Sequence, residues 1–496
     1  MRAILGVFLL TAGNPLVALP APAAAVSDPA TLVWGELRVE SPVSLRELGW
    51  DGDLGLRGRR LDDAPLDPAV GKLLRVLADA GYAFARVIPG GFDAAGDTVT
   101  GVLRVQPGTR PRLGGVVLAG AGVTRPEAVL RLAGLRRGDL YTGRERERTR
   151  ERLLRSGLFT AVDPVGLAAG EDPDEVYLEV RLREPAYTRF TGILGVAGRE
   201  AEVTGLVDLE LLNLAGTART AAGRWEGRGD GLTRFALRYR EPWLPWVPIG
   251  LTGSLNHDIN EAVYSFTKWE VSGDIGFSSG IRVQAGYGAA HAVESEIEKT
   301  SDESYVLAGI AIDRRNSALV PTAGYRASLE SRRGDKEFVD PGGELRRFDR
   351  TRWDVAGEVY RGLGGRWLGA GRFTFTYLDT DEDPLPRYDL IPVGGAVSLR
   401  GYREEQFLTS TAAVAQFEAR FRQDERGSAL YGFFDSGWIA SDLSLARRDD
   451  PDRWVFGYGL GVRQASTVGV LGVEYGIARG ENPLDGRIHL RIDAVF

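Results

Sequence analysis

The sequence predicts a molecule in two parts: small α+β domains first, then an all-β transmembrane barrel of about 16 antiparallel strands. Three observations predict it. Helical periodicity, with helix-start and helix-stop residues, is confined to the chain before about residue 185. Period-2 alternation of apolar and polar residues then recurs to the last residue. An export-type leader opens the chain, and no later run of ~18 apolar residues offers a membrane helix.

The leader comes first. Arg2 supplies a positive start, "AILGVFLL" an apolar centre and "APAAA" a small-residue end. Ala23-Ala24-Ala25 fits an A-x-A cleavage site, so residues 1–25 read as a signal peptide and the mature chain as starting near Val26. Gly13, Asn14, Pro15 and Pro20 interrupt the apolar run, which argues against an uncleaved membrane helix. An exported chain without a helical anchor is periplasmic, secreted or a β-barrel.

Composition removes several classes. At 496 residues the chain exceeds one ordinary core. It has no Cys, so disulfides and thiolate zinc sites are excluded. His257, His291 and His489 lack metal-ligand spacing. The net charge is −7 with both signs dispersed, which gives nucleic acid no basic tract. There is no phosphate loop and no Ser-His-Asp order with motif context. No catalytic residue, metal or cofactor is expected, and the chain reads as a non-enzyme.

Residues 26–110 read as a first α+β domain with an irregular opening, Leu32 to about Asp62. Asp67-Pro68 starts a helix, "KLLRVLADAGY" carries it and Gly81 ends it. "AFARVI" and "VTGVLRVQPG" are strand-like. Residues 111–185 repeat the plan more clearly. "GGVVLAG" is a strand, and two helices follow, each opened by a capping-box pattern, Thr124 with Glu127 and Thr142 with Glu145. Gly138 and Gly157 end them. "LFTAVDPVGL" reads as one strand. In "EVYLEVRLRE", Val176, Leu178, Val180 and Leu182 share a buried face. The charges of "RERERTRER" alternate in sign, as on a solvated helix face.

From residue 186 onward strands dominate. In "GRFTFTYL", Phe373, Phe375 and Tyr377 alternate with Arg372, Thr374 and Thr376. In "RIHLRIDAVF", Ile488, Leu490, Ile492, Ala494 and Phe496 share the apolar face. A barrel turns such a face to lipid and the charged face to a wet lumen. Short polar turns such as "RQDERG" tend to alternate with longer linkers such as "DEDPLPRYDLIPVGGAVSLRGYREEQF", and aromatics cluster at strand ends, as in "EPWLPWVP". A closed barrel needs its last strand, which ends on Phe496.

The order of elements in "GDLYT…RLLRSGLFTAVDP…VYLEVRLREP" resembles the POTRA (polypeptide-transport-associated) domains of the BamA/TamA family of outer-membrane assembly factors. The first domain resembles a POTRA domain mainly from Leu66 to Pro107. "LLNLAGTART" is similar to the family's Asn-Leu-(Phe)-Gly-x-Gly stretch at Asn213, Leu214 and Gly216, with Ala218 where a second glycine is expected. "YREPWL" looks like its Tyr-x-x-Pro strand end. "IDRRNSALVPTAGYRASLE" looks like its Asp-x-Arg-(Asp/Asn)…Pro-x-x-Gly stretch. "SLRGYR" (Ser398, Leu399, Arg400, Gly401, Tyr402, Arg403) resembles its Val-Arg-Gly-Phe/Tyr loop, with Leu399 in place of the usual Val.

The resemblance implies a fold class of POTRA-like periplasmic domains followed by an outer-membrane β-barrel, residues 186–496. It implies that the loop folds into the lumen and that Arg400 meets acidic residues of the next two strands, here Glu418 and Asp435. A lone Asp is depleted in strands, so Asp435 among aromatics and glycines fits a partnered charge. Phe496 would serve as a C-terminal strand signal. The implied partners are unfolded outer-membrane or secreted polypeptides, outer-membrane lipids, and accessory proteins of the periplasm or inner membrane, with no nucleic acid. The implied function is assembly, insertion or translocation of client polypeptides, at a seam between the first barrel strand, which Gly192 and Gly195 weaken, and the last. The alternative is a two-partner secretion translocator exporting one dedicated substrate. Such relatives commonly plug the pore with an N-terminal helix and a proline-rich linker, and "PATLVWGELRVESPVSLRELGW" lacks both signals.

Overall fold

The computed structural model describes residues 10–11, 14–15 and 32–494, apart from 173, 198–201, 230, 245–246, 261–262, 278, 295–298, 319, 340–341, 426, 441–452 and 467–468. Nearly all of the leader lies outside the described residues, and so does Phe496. Within residues 1–25 only a two-residue ladder is described, Leu10–Thr11 (β1) against Asn14–Pro15 (β2).

Two units result. The first comprises residues 1–121, 126–153 and 161–183. Helix α1 (Leu66–Asp79) forms because Leu66, Ala69, Leu73 and Leu77 recur on one face, which is buried. Extended Pro65 precedes it, and Gly81, at φ 99°, reverses the chain after it. Its sheet has the order β3-β5-β4, with β3 (Val33–Glu40) parallel and β4 (Arg86–Ala95) antiparallel to β5 (Thr98–Gln106). The irregular opening therefore contributes an edge strand. Trp34 on β3 enters the core and donates from Nε1 to the Ala64 carbonyl at 2.8 Å. That strand escapes a periodicity search because Trp34 is its one fully buried side chain.

The next sheet places β9 (Glu175–Arg183) between β6 (Arg112–Ala119), which is parallel to it, and the short strands β7 (Ala161–Val162) and β8 (Gly166–Ala169). Thus "LFTAVDPVGL" is two strands rather than one. Val176, Leu178, Val180 and Leu182 are all buried, as the alternation predicts. Helices α2 (Pro126–Leu132) and α3 (Arg144–Arg155) begin without capping boxes. Glu127 pairs with Arg137 at 3.1 Å, and Glu145 pairs with Arg148 at 3.1 Å. The Thr124 amide goes to Glu184 instead, which outcompetes Glu127 because its carboxylate accepts from three successive backbone amides.

The second unit holds Gly122–Arg125, Leu154–Thr160 and Glu184–Phe496. Its sheet has 16 strands in sequence order, β10 (Thr188–Ala197) to β20 (Trp367–Thr380), then β23 (Thr411–Arg422), β24 (Ala429–Ala440), β25 (Arg453–Ser466), β26 (Gly469–Ala478) and β27 (Arg487–Ala494). All neighbours are antiparallel. Outward Phe373 is 43% exposed, as a lipid face requires. The predicted alternation of short turns and long linkers appears only late in the chain. Turn 365–366 and the turn after β23 lie at the end opposite to the linker 381–410, whereas earlier in the chain residues 314–323 form a long connection at the same end as those turns. The long linker is not irregular throughout: β21 (Ile391–Val393) pairs with β22 (Phe407–Thr409).

Candidate functional site

Gly394 and Gly395, at φ 122° and 97°, turn the chain after β21 into the loop. Ser398 closes that turn: its Oγ accepts from the Gly394 amide at 2.8 Å and donates to the Gly394 carbonyl at 3.0 Å. Leu399 and Tyr402 then bury in an apolar cluster with Ile391, Val393, Phe407 and Ile439. The Tyr402 hydroxyl donates to the Phe456 carbonyl at 3.1 Å. Arg400, held between these two anchors, is 2% exposed.

The guanidinium grips Asp435 bidentately. Nε donates to Oδ2 at 2.8 Å and Nη2 to Oδ1 at 2.7 Å, while the Arg400 amide adds a third bond at 3.0 Å. Nη1 donates to Glu418 at 2.8 Å and to Glu474 at 3.0 Å. The plane lies over the Phe433 ring, with Cζ 3.8 Å from its centroid. Glu418 also accepts from Arg420 Nε at 2.6 Å, and Glu474 from the Tyr431 hydroxyl at 2.7 Å. The structure thus brings Arg400, Asp435 and Glu418 together and adds Glu474. Sequence reasoning missed Glu474, although it shares the signal that marked Asp435: a lone carboxylate in an apolar, glycine-rich strand.

Glycine decides how deep the loop sits. Gly401, at φ 92°, places its Cα so that an added Cβ would lie 2.7 Å from the Ile477 carbonyl carbon. A Cβ on Gly476 would lie 2.6 Å from the Gly401 nitrogen, and one on Gly457 would collide with the Arg400 carbonyl oxygen. The loop backbone therefore lies directly on the backbones of β25 and β26. Gly401 N donates to His489 Nε2 at 3.2 Å, and its carbonyl accepts from Arg487, both residues of β27.

The same linker has two further anchors that the sequence did not reveal. Glu405 accepts from both Nη atoms of Arg234, at 2.5 and 3.4 Å. Lys336, 1% exposed, donates to Glu382 at 2.9 Å and Asp389 at 2.7 Å, and Arg350 donates to Asp389 at 3.1 Å. Tyr388 stacks on Phe266 with ring centroids 5.2 Å apart. The linker is thus tied to strands on several sides of the lumen.

Of the other motif stretches, two are turns locked by their own side chains and one is tied to another strand. Asn213, Ala215, Gly216 and Ala218 all have positive φ, and the Ala218 amide donates to Asn213 Oδ1 at 2.7 Å. Ala218, at φ 60°, takes a left-handed conformation that glycine adopts without strain. In the next stretch Arg315 grips Asp313 at 2.7 Å, and Asn316 Oδ1 accepts from the Thr322 and Ala323 amides at 3.0 and 3.1 Å. In "YREPWL", Arg240 binds Asp274 bidentately at 2.6 and 3.0 Å.

Comparison with known proteins follows this geometry. Residues 213–496 match the Omp85 superfamily domain, and residues 111–184 match the POTRA model described as a surface antigen variable number repeat. Outer membrane protein assembly factor BamA of Neisseria meningitidis is 26% identical over 193 residues, a match covering 38% of this chain and 23% of that protein. BamA from Haemophilus ducreyi lacking POTRA domains 1–3 superposes with a TM-score of 0.56 at 17% identity, over 92% of this chain and 98% of that one. CdiB from Escherichia coli gives 0.52 at 14% identity, over 96% and 91%. At these identities the likeness to both is one of fold. A POTRA domain, a 16-stranded barrel and a match over more than half of the sequence make this an outer-membrane chain with periplasmic N-terminal structure, and it belongs to the Omp85 superfamily.

Proposed function

We propose that the chain accepts unfolded polypeptides on its periplasmic domains and assembles them into the outer membrane at the seam of its barrel. In this reading residues 26–110 and 111–185 are two POTRA domains that bind clients by strand addition, and residues 186–496 are the barrel. It makes and breaks no covalent bond, so it needs no cofactor.

One observation carries the reading. Every barrel strand is hydrogen-bonded to its sequence neighbours, yet among the described residues β10 and β27 share no ladder, although their Cα atoms come within 8 Å. An open edge in lipid leaves backbone groups unsatisfied, at a cost of several kcal/mol each. Such an edge is a template for an incoming strand. Arg400 and its carboxylates would brace β23, β24 and β26 beside that seam, with His489 and Arg487 of β27 fixing the loop backbone to the last strand. Phe496 would mark the chain's own last strand for insertion.

The test is reconstitution. Full-length protein in phospholipid vesicles should convert an urea-unfolded outer-membrane barrel into its heat-modifiable folded form. Assembly of several unrelated barrels supports this reading. Failure with all of them, alongside export of one dedicated partner into the vesicle, would assign the chain to two-partner secretion.

A further inference from the structure

The outer wall of the barrel carries a trough that the seam and the lumen loop do not explain. Its floor is one cross-strand row. Arg361 of β19 (Leu345–Gly364) pairs with Gly369, Gly369 with Ala419, Ala419 with Gly432, and Gly432 with Leu460. At this row three consecutive strands thus present almost no side chain to the outside. The rows on either side are bulky. Toward the membrane centre run Phe417, Phe434 and Tyr458, in register. Toward the turns run Trp367, Phe421, Leu430 and Val462. The cleft measures about 890 Å³, within the range of ligand-binding clefts, about 300–1,000 Å³.

Depth and charge identify an occupant. Trp367 and Phe421, in edge contact at 5.3 Å, lie next to turns 365–366 and 423–428. These turns are at the end where the chain enters the barrel, so the pair is an aromatic belt at the periplasmic interface. The trough lies one row inside that belt, at the depth where acyl chains meet headgroups. Arg361 points outward from its end and has no carboxylate within ion-pair reach among the described residues. An unpaired arginine facing lipid is tolerated near the interface, where its long stem lets the charge reach phosphate. Exposed Arg366 lies in the adjacent turn, and Glu425 is the exposed acid of the next turn. Because barrel strands tilt by about 35–45°, a row perpendicular to them crosses the leaflet obliquely, as an acyl chain can.

We propose that this trough holds one phospholipid of the periplasmic leaflet, its chain on Gly369, Ala419 and Gly432 and its anionic headgroup on Arg361.

The experiment uses the full chain in bilayers of equal phosphatidylglycerol and phosphatidylcholine, released gently for native mass spectrometry. The expected result is one retained phosphatidylglycerol, favoured about 5-fold or more over phosphatidylcholine. Arg361→Gln should abolish the headgroup preference. Gly432→Leu should abolish retention, and Ala419→Leu serves if the first variant loses heat-modifiable folding. Retention unchanged in the filled variants, or no headgroup preference in the parent, overturns the proposal. So does disulfide-linked dimer from Ala419→Cys in this Cys-free chain, which would mean that the surface binds a second copy.

Discussion

Arg400 faces three carboxylates, so its removal leaves Asp435 and Glu474 without their cation, while Glu418 keeps Arg420. Breaking a buried pair costs about 3–5 kcal/mol, and less where water enters. Arg400→Ala should leave the barrel formed, because the strand ladders do not use this side chain, while proteolysis near Gly394-Gly395 quickens and assembly is lost. Arg400→Lys should rescue poorly, since an ammonium cannot span both oxygens of Asp435. The Arg400→Ala/Asp435→Ala double variant should cost much less than the sum of the singles. Strict additivity in urea unfolding would show that the pair does not interact. Glu474→Gln should be milder, because Arg400 keeps its bidentate hold on Asp435. Gly457→Ala tests the same loop without touching charge, because the added Cβ meets the Arg400 carbonyl, and it should reproduce the protease sensitivity of Arg400→Ala. A stabilising change is also available. Ala218 has φ 60°, so Ala218→Gly should relieve about 1 kcal/mol of backbone strain, read as a higher midpoint of thermal unfolding.

At the scale of elements, the segment Gly122–Thr124 depends on one carboxylate. Burial works against the charged form of Glu184, but the Thr124 hydroxyl and the amides of Gly122, Thr124 and Val123 outweigh it and hold the pKa below the ordinary 4.5. A folded pKa below the unfolded value means that the stabilisation is complete above pH 4.5 and is lost as the pH falls through the folded value. Amide exchange at Gly122, Val123 and Thr124, corrected for its intrinsic pH dependence, should therefore accelerate on acidification below that point. Glu184→Gln should show the faster exchange at neutral pH and little further change in acid. The last strand has a different dependence. Among the described residues its backbone is paired with β26 on one side only. Deleting Phe496 should lower the amount of protein in the membrane while leaving export intact, measured by fractionation. An unchanged level would remove the residue from any signalling role.

For the whole molecule, long strands and a fixed linker have distinct consequences. Strands β18 (Gly324–Val339) and β19 span 16 and 20 residues, against about 9–11 needed to cross the hydrocarbon. The excess carries charge on its outward face, as at Asp335, Glu337 and Arg347, so these strands project past the outer headgroups. The chain should fractionate with outer membranes and migrate faster unheated than boiled on gels. The linker 381–410 is bound at Lys336, Arg234 and Asp435, on strands far apart in sequence. Lys336→Ala should loosen the Glu382–Asp389 arm, which keeps Arg350 and Lys299, without loosening the Arg400 arm. Limited proteolysis that cleaves near Asp389 but spares Gly394-Gly395 is the expected pattern.

By itself the sequence determined the order of parts, the strand character of the second half, the arginine loop and two of its acids. These are local properties: period, turn residues and short motifs declare which face of a strand is wet and where a strand stops. Alternation reports the face but not the stagger between strands, and stagger decides which wet residues meet across a lumen. Hence Asp435 and Glu418, on the strands directly after the loop, were named through the family resemblance of the loop, whereas Glu474, 74 residues away from Arg400, was not. The same holds for Gly457 and Gly476, whose role shows only when the loop is seen lying on them. It holds for β3 as well, whose single buried Trp34 has no period to betray it. The row Gly369–Ala419–Gly432 exists only once three strands are in register. Tertiary structure decided these features because each is a meeting of residues distant in sequence, fixed by the closure of the sheet rather than by any local preference.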